Sequence, residues 1–355
     1  MHELLKQYNY PSDEIEGLIE KYRQGKITEK DNIIDEKIDI PKKEEFNTLP
    51  PQDTQEYKEY REIGLQSIRK KQLGVVVLNG GMATRFGGVV KGIVEVFEDK
   101  SFLELKILNA MKVNKNIKFF IMNSFSTEDK TRKYLAERDY FGFEHNIYMF
   151  NQYIAPRITE AGDYYQAEDE KQCFYGPGHG DFPYCFKSSG MLKKFIKSGG
   201  KYIFFSNVDN LGARVDPAIL GFHIKQKSFE LTPEVTKRNP EDEGGAPVMV
   251  NGRLQLVEGF SFPKDLNQSG IPVMNCSTYW VDAQSLNKDF ELPWYVVKKE
   301  VNGEKVIQFE RLAGDLTKFL NSKYLKVPRS KRFFPVKRPE DLEANRKKLK
   351  NLLGY

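Results

Sequence analysis

The chain is poor in cysteine, in histidine and in long apolar runs, and each shortage closes off a class of protein. Cys173, Cys185 and Cys276 are odd in number and lack CxxC spacing, which excludes a disulfide-framed scaffold or a cysteine-based zinc module and reads as reduced thiols. No stretch approaches the roughly 18 uninterrupted apolar residues of a membrane span. The opening MHELLKQYNYPSDEIE also lacks the apolar core of a secretory signal. A cytoplasmic setting without a membrane partner is therefore expected. Charge of one sign is not in large excess either: 55 Lys and Arg against 50 Asp and Glu leave +5 over 355 residues. With no basic-aromatic RNA motif, nucleic acid is not an expected partner, whereas a small phosphorylated ligand suits the balance. The basic stretch from Lys323 to Lys350, with Arg329, Lys331, Arg332 and Arg338, reads as a solvated face.

What is present is the composition of a globular protein, 39% apolar and 30% charged. Residues 1–70 are polar and mostly helical in pattern, interrupted by DIPKKEEFNTLPPQD, where Pro41, Pro50 and Pro51 forbid a continuous helix. This segment is expected to form a helical N-terminal appendage wrapped on the main body. From Leu73 onward apolar runs alternate with helical ones: GVVVLN, SFLELKILNAMKVNKN, KFFIMNS, STEDKTRKYLAERDY, IYMFNQ. Strand and helix in turn imply βαβ units and a doubly wound, mainly parallel α/β sheet. Past Phe229 shorter runs follow, with Asn251-Gly252 between two of them as a hairpin signal, so an antiparallel extension is expected. The main body is assigned to residues 71–338, and PEDLEANRKKLKNLLGY is expected to close the chain as a helix over 339–355.

Two constellations interrupt this pattern. In VVVLNGGMATRFGG a buried strand ends in glycines, where a phosphate chain could lie against backbone N–H groups with Arg85 and Lys91 supplying charge. A plain tight turn fits the same residues, and the spacing matches neither the P-loop nor the dinucleotide fingerprint. In YIFFSNVDNLGARVD a second buried strand delivers Asn207, Asp209 and Asn210 to its carboxyl end. Asp209 there suits either a Mg²⁺ ligand, since that ion takes few protein oxygens, or an Asx turn bonding its own backbone.

The segments LNGGMATRFGGVVKG, MFNQYIAPRI, GPGHGD, SNVDNLGARVD, PEVTKRNPEDEGG, LVEGFSFP and VPRSKRFFPVKRPEDL resemble, in order and approximate spacing, those of UTP:glucose-1-phosphate uridylyltransferases, the UDP-glucose pyrophosphorylases. GLQSIRKKQLGVVVLNGG and VDPAILGFHI look more like the related UDP-N-acetylhexosamine pyrophosphorylases. The resemblance implies a Rossmann-like sheet of the nucleotidyltransferase GT-A type and attack of a sugar-1-phosphate on the α-phosphorus of UTP, with release of pyrophosphate. It places Leu78, Asn79, Gly80 and Gly81 along the nucleotide, and Arg85, Lys91 and Lys337 on the phosphates. Gln152 would read the uracil edge over the backbone of Gly178, and His179 would contact the sugar phosphate. Asp209 would hold Mg²⁺, Asn207 and Asn210 would orient the site or reach the sugar, and Glu258 and Asn275 would bond sugar hydroxyls. Such a reaction needs positioning and charge neutralisation more than a side-chain nucleophile.

Two departures from the family pattern carry consequences. Ala83 adds a methyl where the backbone approaches the triphosphate, and NCSTYW stands where the glucose enzymes carry a run of asparagines. Glucose-1-phosphate is the first expectation, with N-acetylglucosamine-1-phosphate or a broad sugar range as the alternative. A UDP-sugar-binding protein without turnover is the reading from another class. The family's eukaryotic glucose enzymes carry a C-terminal β-helical region used in subunit contacts. The sequence given ends soon after Lys337, which leads to the expectation of a monomer or weak dimer.

Overall fold

The computed structural model describes residues 3–83, 88–242 and 244–355. In chain order its principal strands are β1 (Leu73–Leu78), β2 (Lys118–Asn123), β3 (Ile147–Asn151), β4 (Tyr202–Asn207), β5 (Leu231–Lys237), β6 (Ala246–Val250), β7 (Arg253–Val257), β8 (Val273–Asp282), β9 (Tyr295–Val301), β10 (Glu304–Glu310) and β11 (Leu325–Lys326). Seven of them form the central sheet in the order β11-β5-β8-β4-β1-β2-β3. Neighbours run parallel except at β8, which is antiparallel to both β4 and β5.

The principal helices are α1 (Ser12–Arg23), α2 (Gln55–Arg69), α3 (Phe102–Val113), α4 (Glu128–Ala136), α5 (Phe182–Ser188), α6 (Met191–Lys197), α7 (Pro217–Lys225) and α8 (Pro339–Leu353). Because side chains alternate across a strand, a sheet covered on both faces needs continuous apolar runs. In β1, Val75 and Val77 join the core beneath α2, α3, α7 and α8, while Val76 and Leu78 join the core beneath α5 and α6. Phe119 and Ile121 against Phe120 and Met122 divide in the same way on β2. The run at Val75–Leu78 is thus a strand sealed from both sides.

Local chemistry sets the element ends. Ser101 caps α3 by accepting from Glu104 N–H at 3.1 Å, and Asp216 caps α7 by accepting from Ala218 N–H at 2.8 Å, with Pro217 at the first helical position. Asn251 and Gly252 turn the β6–β7 hairpin with φ of 48° and 78°, the left-handed pair that a two-residue hairpin requires. That hairpin gains a third strand from the N-terminal segment, Ile38–Asp39 pairing with β6.

The N-terminal segment does not stand apart from the body. Helix α1 buries Ile15 and Ile19 against Val296, Ile307 and Phe309 of the β9–β10 hairpin. Helix α2 buries Tyr60 and Ile68 in the main core and crosses α7 through two glycines. A Cβ on Gly64 would lie 1.9 Å from the Pro217 carbonyl oxygen, and one on Gly221 would lie 1.7 Å from that of Tyr60. Helix α8 likewise buries Leu342, Leu349 and Leu353 in the main core.

Gly221→Ala should separate α2 from α7 and lower the unfolding free energy by about 1–3 kcal/mol. A denaturant titration reads this as a lower midpoint at unchanged slope. An unchanged midpoint would show that the two helices can part at no cost.

Candidate functional site

Strands β1 and β4 are neighbours and end in register, Leu78 opposite Asn207, and the Leu78 carbonyl accepts from Val208 N–H at 3.2 Å. The glycine turn and Asp209 are thereby set side by side at the carboxyl end of the sheet, where an open α/β sheet takes its ligands. Burial lifts the carboxyl pKa of Asp209 above the ordinary value, against the pull of Lys91, Lys106 and Lys337. Lys91, 9% exposed, donates to the carbonyl of Val336 and lies 5.7 Å from the ring centroid of Phe102. This bond carries the residue before Lys337 to the glycine turn. Asp341 then accepts from the backbone N–H of Lys337 at 2.9 Å.

The Asn210 side chain is engaged within the protein. It is 2% exposed; its Oδ1 accepts from Phe334 N–H at 2.9 Å and Gly212 N–H at 3.2 Å, and its Nδ2 donates to the Arg332 carbonyl at 3.1 Å. The bonds to Arg332 and Phe334 tie the end of β4 to the segment that leads to Lys337. Asn207 and Asp209 stay half-buried. Asn79 is also turned inward, fully buried, with Nδ2 donating to Asn123 Oδ1 at 2.8 Å and Thr131 Oγ1 at 3.0 Å. Its backbone alone is left to border a nucleotide.

The glycines of the turn divide their work. A Cβ on Gly80 would lie 2.8 Å from Oε1 of Gln152, and one on Gly176 would lie 1.6 Å from its Nε2. Gln152 is held in a slot between these two backbones, 7% exposed, and its amide makes no hydrogen bond among the described residues. Gly81 faces open space. At Gly178 φ is +105° and a Cβ would sit 2.5 Å from the Arg311 carbonyl oxygen, so the fold itself requires glycine there. The glycine beside Gln152 is Gly176. Arg85 and the side chain of Ala83 lie outside the described residues.

His179 is half-buried, and burial pushes its pKa down to about 4. Its Nδ1 accepts from Ala313 N–H at 2.9 Å. An acceptor nitrogen carries no proton, so the neutral ring presents N–H at Nε2. The next residue, Gly314, lies against Glu258: a Cβ there would be 3.7 Å from Oε1, and a Cβ on Gly245 would be 2.9 Å from Oε2. Burial, helped by Asp315, raises the Glu258 pKa to about 7. Asn275 donates its backbone N–H to the Gly245 carbonyl at 2.8 Å. Its side chain is engaged with Tyr279 OH at 2.8 Å and Ser277 N–H at 2.9 Å. Gln152, His179, Glu258 and Asn275 thus follow one another through touching glycines and turns.

A family model described as UTP--glucose-1-phosphate uridylyltransferase matches residues 15–352. The chain belongs to this family. A UTP--glucose-1-phosphate uridylyltransferase from Pyrus pyrifolia is 34% identical over 292 residues, covering 76% of this chain and 61% of the relative. One from Musa acuminata is 32% identical over 352 residues, covering 92% and 72%. The chain thus spans about three fifths of the first relative's length. Among solved structures, a UDP-glucose phosphorylase from Trypanosoma brucei has a TM-score of 0.76 at 28% identity, over 93% of this chain and 73% of that one. A UDP-N-acetylglucosamine pyrophosphorylase from the same organism has a TM-score of 0.76 at 19% identity, over 94% and 74%, and shares the fold.

Several residues of this uridylyltransferase-family site carry no motif. Lys106 lies on α3, 6% exposed, with Nζ donating to Ser206 Oγ at 2.9 Å and the Ala213 carbonyl at 2.8 Å. It brackets the segment holding Asp209. Arg332, read from sequence as part of a solvated face, is 5% exposed and paired with Glu234, which also accepts from Trp280 Nε1 at 2.9 Å. Arg329 is likewise engaged, on Asp242 at 2.7 and 2.8 Å. Lys331 and Arg338 are exposed as expected.

Burial lowers the Lys106 pKa to about 7, with Asp209 opposing the shift; an unfolded lysine titrates near about 10.4. Between these values the unfolded state binds more protons, so the Lys106 contribution to stability rises with pH across that window. The unfolding free energy of the wild type relative to Lys106→Met should therefore climb from about pH 7 to about pH 10. A difference that does not change with pH would mean that Lys106 keeps its charge in the fold.

Proposed function

We propose that the chain is a UTP:hexose-1-phosphate uridylyltransferase, with glucose-1-phosphate as its sugar substrate and UDP-glucose and pyrophosphate as products. The observation that carries this reading is the surplus of positive charge at the carboxyl end of the sheet. There Lys91, Lys106 and Lys337 all act on the one carboxylate of Asp209; burial draws Lys106 towards its neutral form, and Lys91 and Lys337 still outnumber that carboxylate, a balance that suits an anionic ligand. An oxygen of the sugar phosphate forms a bond to the α-phosphorus of UTP, and the bond from that phosphorus to the bridging oxygen breaks, leaving with the β- and γ-phosphates as pyrophosphate. The nucleophile is already an anion, so the side chains position and neutralise.

Lys91 is assigned the charge developing at the α-phosphorus, with Arg85 and Lys337 completing the phosphate contacts. The Gln152 amide, unpartnered in its slot, can donate and accept together, as reading a uracil edge requires. His179 offers Nε2–H to the sugar phosphate, while Glu258 and the half-buried face of the Asn275 segment lie where sugar hydroxyls would be met. Mg²⁺ fits Asp209 as a single protein ligand, since that ion is commonly held by one or two carboxylates and substrate phosphates. When bound, it would neutralise phosphate charge. The described residues form no cluster of three or more His, Cys, Asp or Glu that could hold an ion alone. A cytoplasmic setting and a monomer or weak dimer complete the reading; a higher oligomer by solution mass measurement would refute the latter.

The decisive assay is pyrophosphate release from UTP and Mg²⁺ with glucose-1-phosphate, galactose-1-phosphate and N-acetylglucosamine-1-phosphate in parallel. Preference for glucose-1-phosphate is expected. Preference for the acetylated sugar would keep the chemistry and overturn the specificity, and UTP binding without turnover would leave a UDP-sugar-binding protein. Lys91→Ala should reduce kcat by about 100-fold or more, the scale of losing one transition-state charge contact, while UTP binding weakens far less. Equal small losses in both would remove Lys91 from the role.

A further inference from the structure

Arg311 lies against the GPGHGD loop along its backbone. Its N–H donates to the Pro177 carbonyl at 2.7 Å, and its carbonyl accepts from Gly180 N–H at 2.9 Å. Cβ atoms on Gly178 and Gly180 would come within 2.5 and 2.4 Å of Arg311 backbone atoms, so the two segments meet with no room for a side chain. The guanidinium turns inward and is 2% exposed. Nε and Nη2 donate to Asp181 Oδ1 at 3.1 and 2.9 Å, Nη1 donates to Glu14 of α1 at 3.1 Å, and the group lies 4.1 Å from the ring centroid of Trp294 and 4.3 Å from that of Tyr184. Shortly after Arg311 the same segment supplies the Ala313 N–H that fixes Nδ1 of His179. His179 is therefore held twice by one stretch of chain, through its flanking glycines and through its ring.

We infer that Arg311 is a positioning residue for His179: its guanidinium, forked onto Asp181 and stacked on aromatic rings, sets the segment that fixes both the GPGHGD loop and the imidazole tautomer. Lysine cannot reproduce this. It lacks the planar fork that bonds Asp181 through two nitrogens and the flat face that stacks on Trp294. Loss of the pair would also leave Asp181 buried without its counter-charge, with its Oδ2 already lacking a hydrogen-bond partner among the described residues. The loop would then shift to regain solvent or a partner. Glu14, being half exposed, is the minor member of the cluster. The inference rests on the preceding reading for one point alone, that the Nε2–H of His179 faces the sugar phosphate.

The test uses the full chain and its four histidines. Imidazole nitrogen–proton correlation spectra, with His179 assigned through His179→Gln, report the tautomer directly. In the wild type His179 should be a single neutral tautomer protonated at Nε2. In Arg311→Lys that signature should be lost or mixed, and kcat/KM for glucose-1-phosphate should fall about tenfold or more. Asp181→Asn should move both readouts in the same direction, and Glu14→Gln should move neither. A folded Arg311→Lys or Asp181→Asn with an unchanged His179 spectrum would overturn the inference, as would an altered spectrum with kcat/KM within about twofold of wild type. Failure of both variants to fold would also overturn it, in favour of a purely structural ion pair. A wild type that shows the expected tautomer but no turnover with any sugar phosphate would sink the uridylyltransferase reading, while the spectra of the variants still decide for or against Arg311.

Discussion

One charge imbalance organises this protein: Lys91, Lys106 and Lys337 all act on a single half-buried carboxylate where β1 and β4 end, with burial drawing Lys106 towards its neutral form. Like charges gathered near a low-dielectric sheet end repel one another, and only a ligand of opposite sign or the surrounding scaffold can offset that cost. The scaffold does it by construction. Lys91 is tied to the Val336 carbonyl, Lys106 to Ser206 and Ala213, and the Lys337 backbone to Asp341. Lys91 and Lys106 are each held by a segment other than their own, so this arrangement of charge exists only when the sheet, α3 and the C-terminal segment are docked together.

The second half of the site has the opposite character. Around Glu258 the partners are Asp315 and buried tyrosines, and the pKa of that carboxyl is lifted to about 7. The sheet end thus divides into a cationic side and a side of carboxyl, amide and phenol groups. His179 is neutral, because a backbone N–H has claimed one nitrogen and burial disfavours a second proton. A neutral ring of fixed tautomer offers one directed donor, where lysines offer bulk charge.

Much of the fold was legible because its signals are local. Uninterrupted apolar runs announced β1, β2 and β4, and Asn251-Gly252 announced the β6–β7 hairpin, since both depend on residues adjacent in sequence. Ordered motifs also placed Lys91, Asp209 and Lys337 together before any geometry was known. What stayed hidden was every residue whose role is set by a distant partner. Lys106 sits in FLELKILNAMKV as a lysine on an amphipathic helix would, and nothing local says that it is buried on Ser206. Arg332 looks like one more cation in a basic run, although Glu234 and Asn210 have drawn its segment inward. Asn79 and Asn210, polar residues after strands, look like ligand contacts, yet their amides are spent on the protein itself. Ala313 acts through a backbone N–H, which leaves no mark on a side-chain pattern, and the packing of residues 1–70 depends on glycine contacts that a helical pattern does not disclose.

The slot around Gln152 ties three positions into one mutational unit. Gly80 and Gly176 both approach the amide closely, so a methyl on either must displace the same side chain. Damage from one substitution would therefore already include much of the damage from the other, and their effects should fall short of a simple sum. A shorter side chain at position 152 could relieve the crowding but would withdraw the amide from the place it occupies. Drift at these three sites is consequently constrained jointly, and a change at one alters which changes the other two can tolerate.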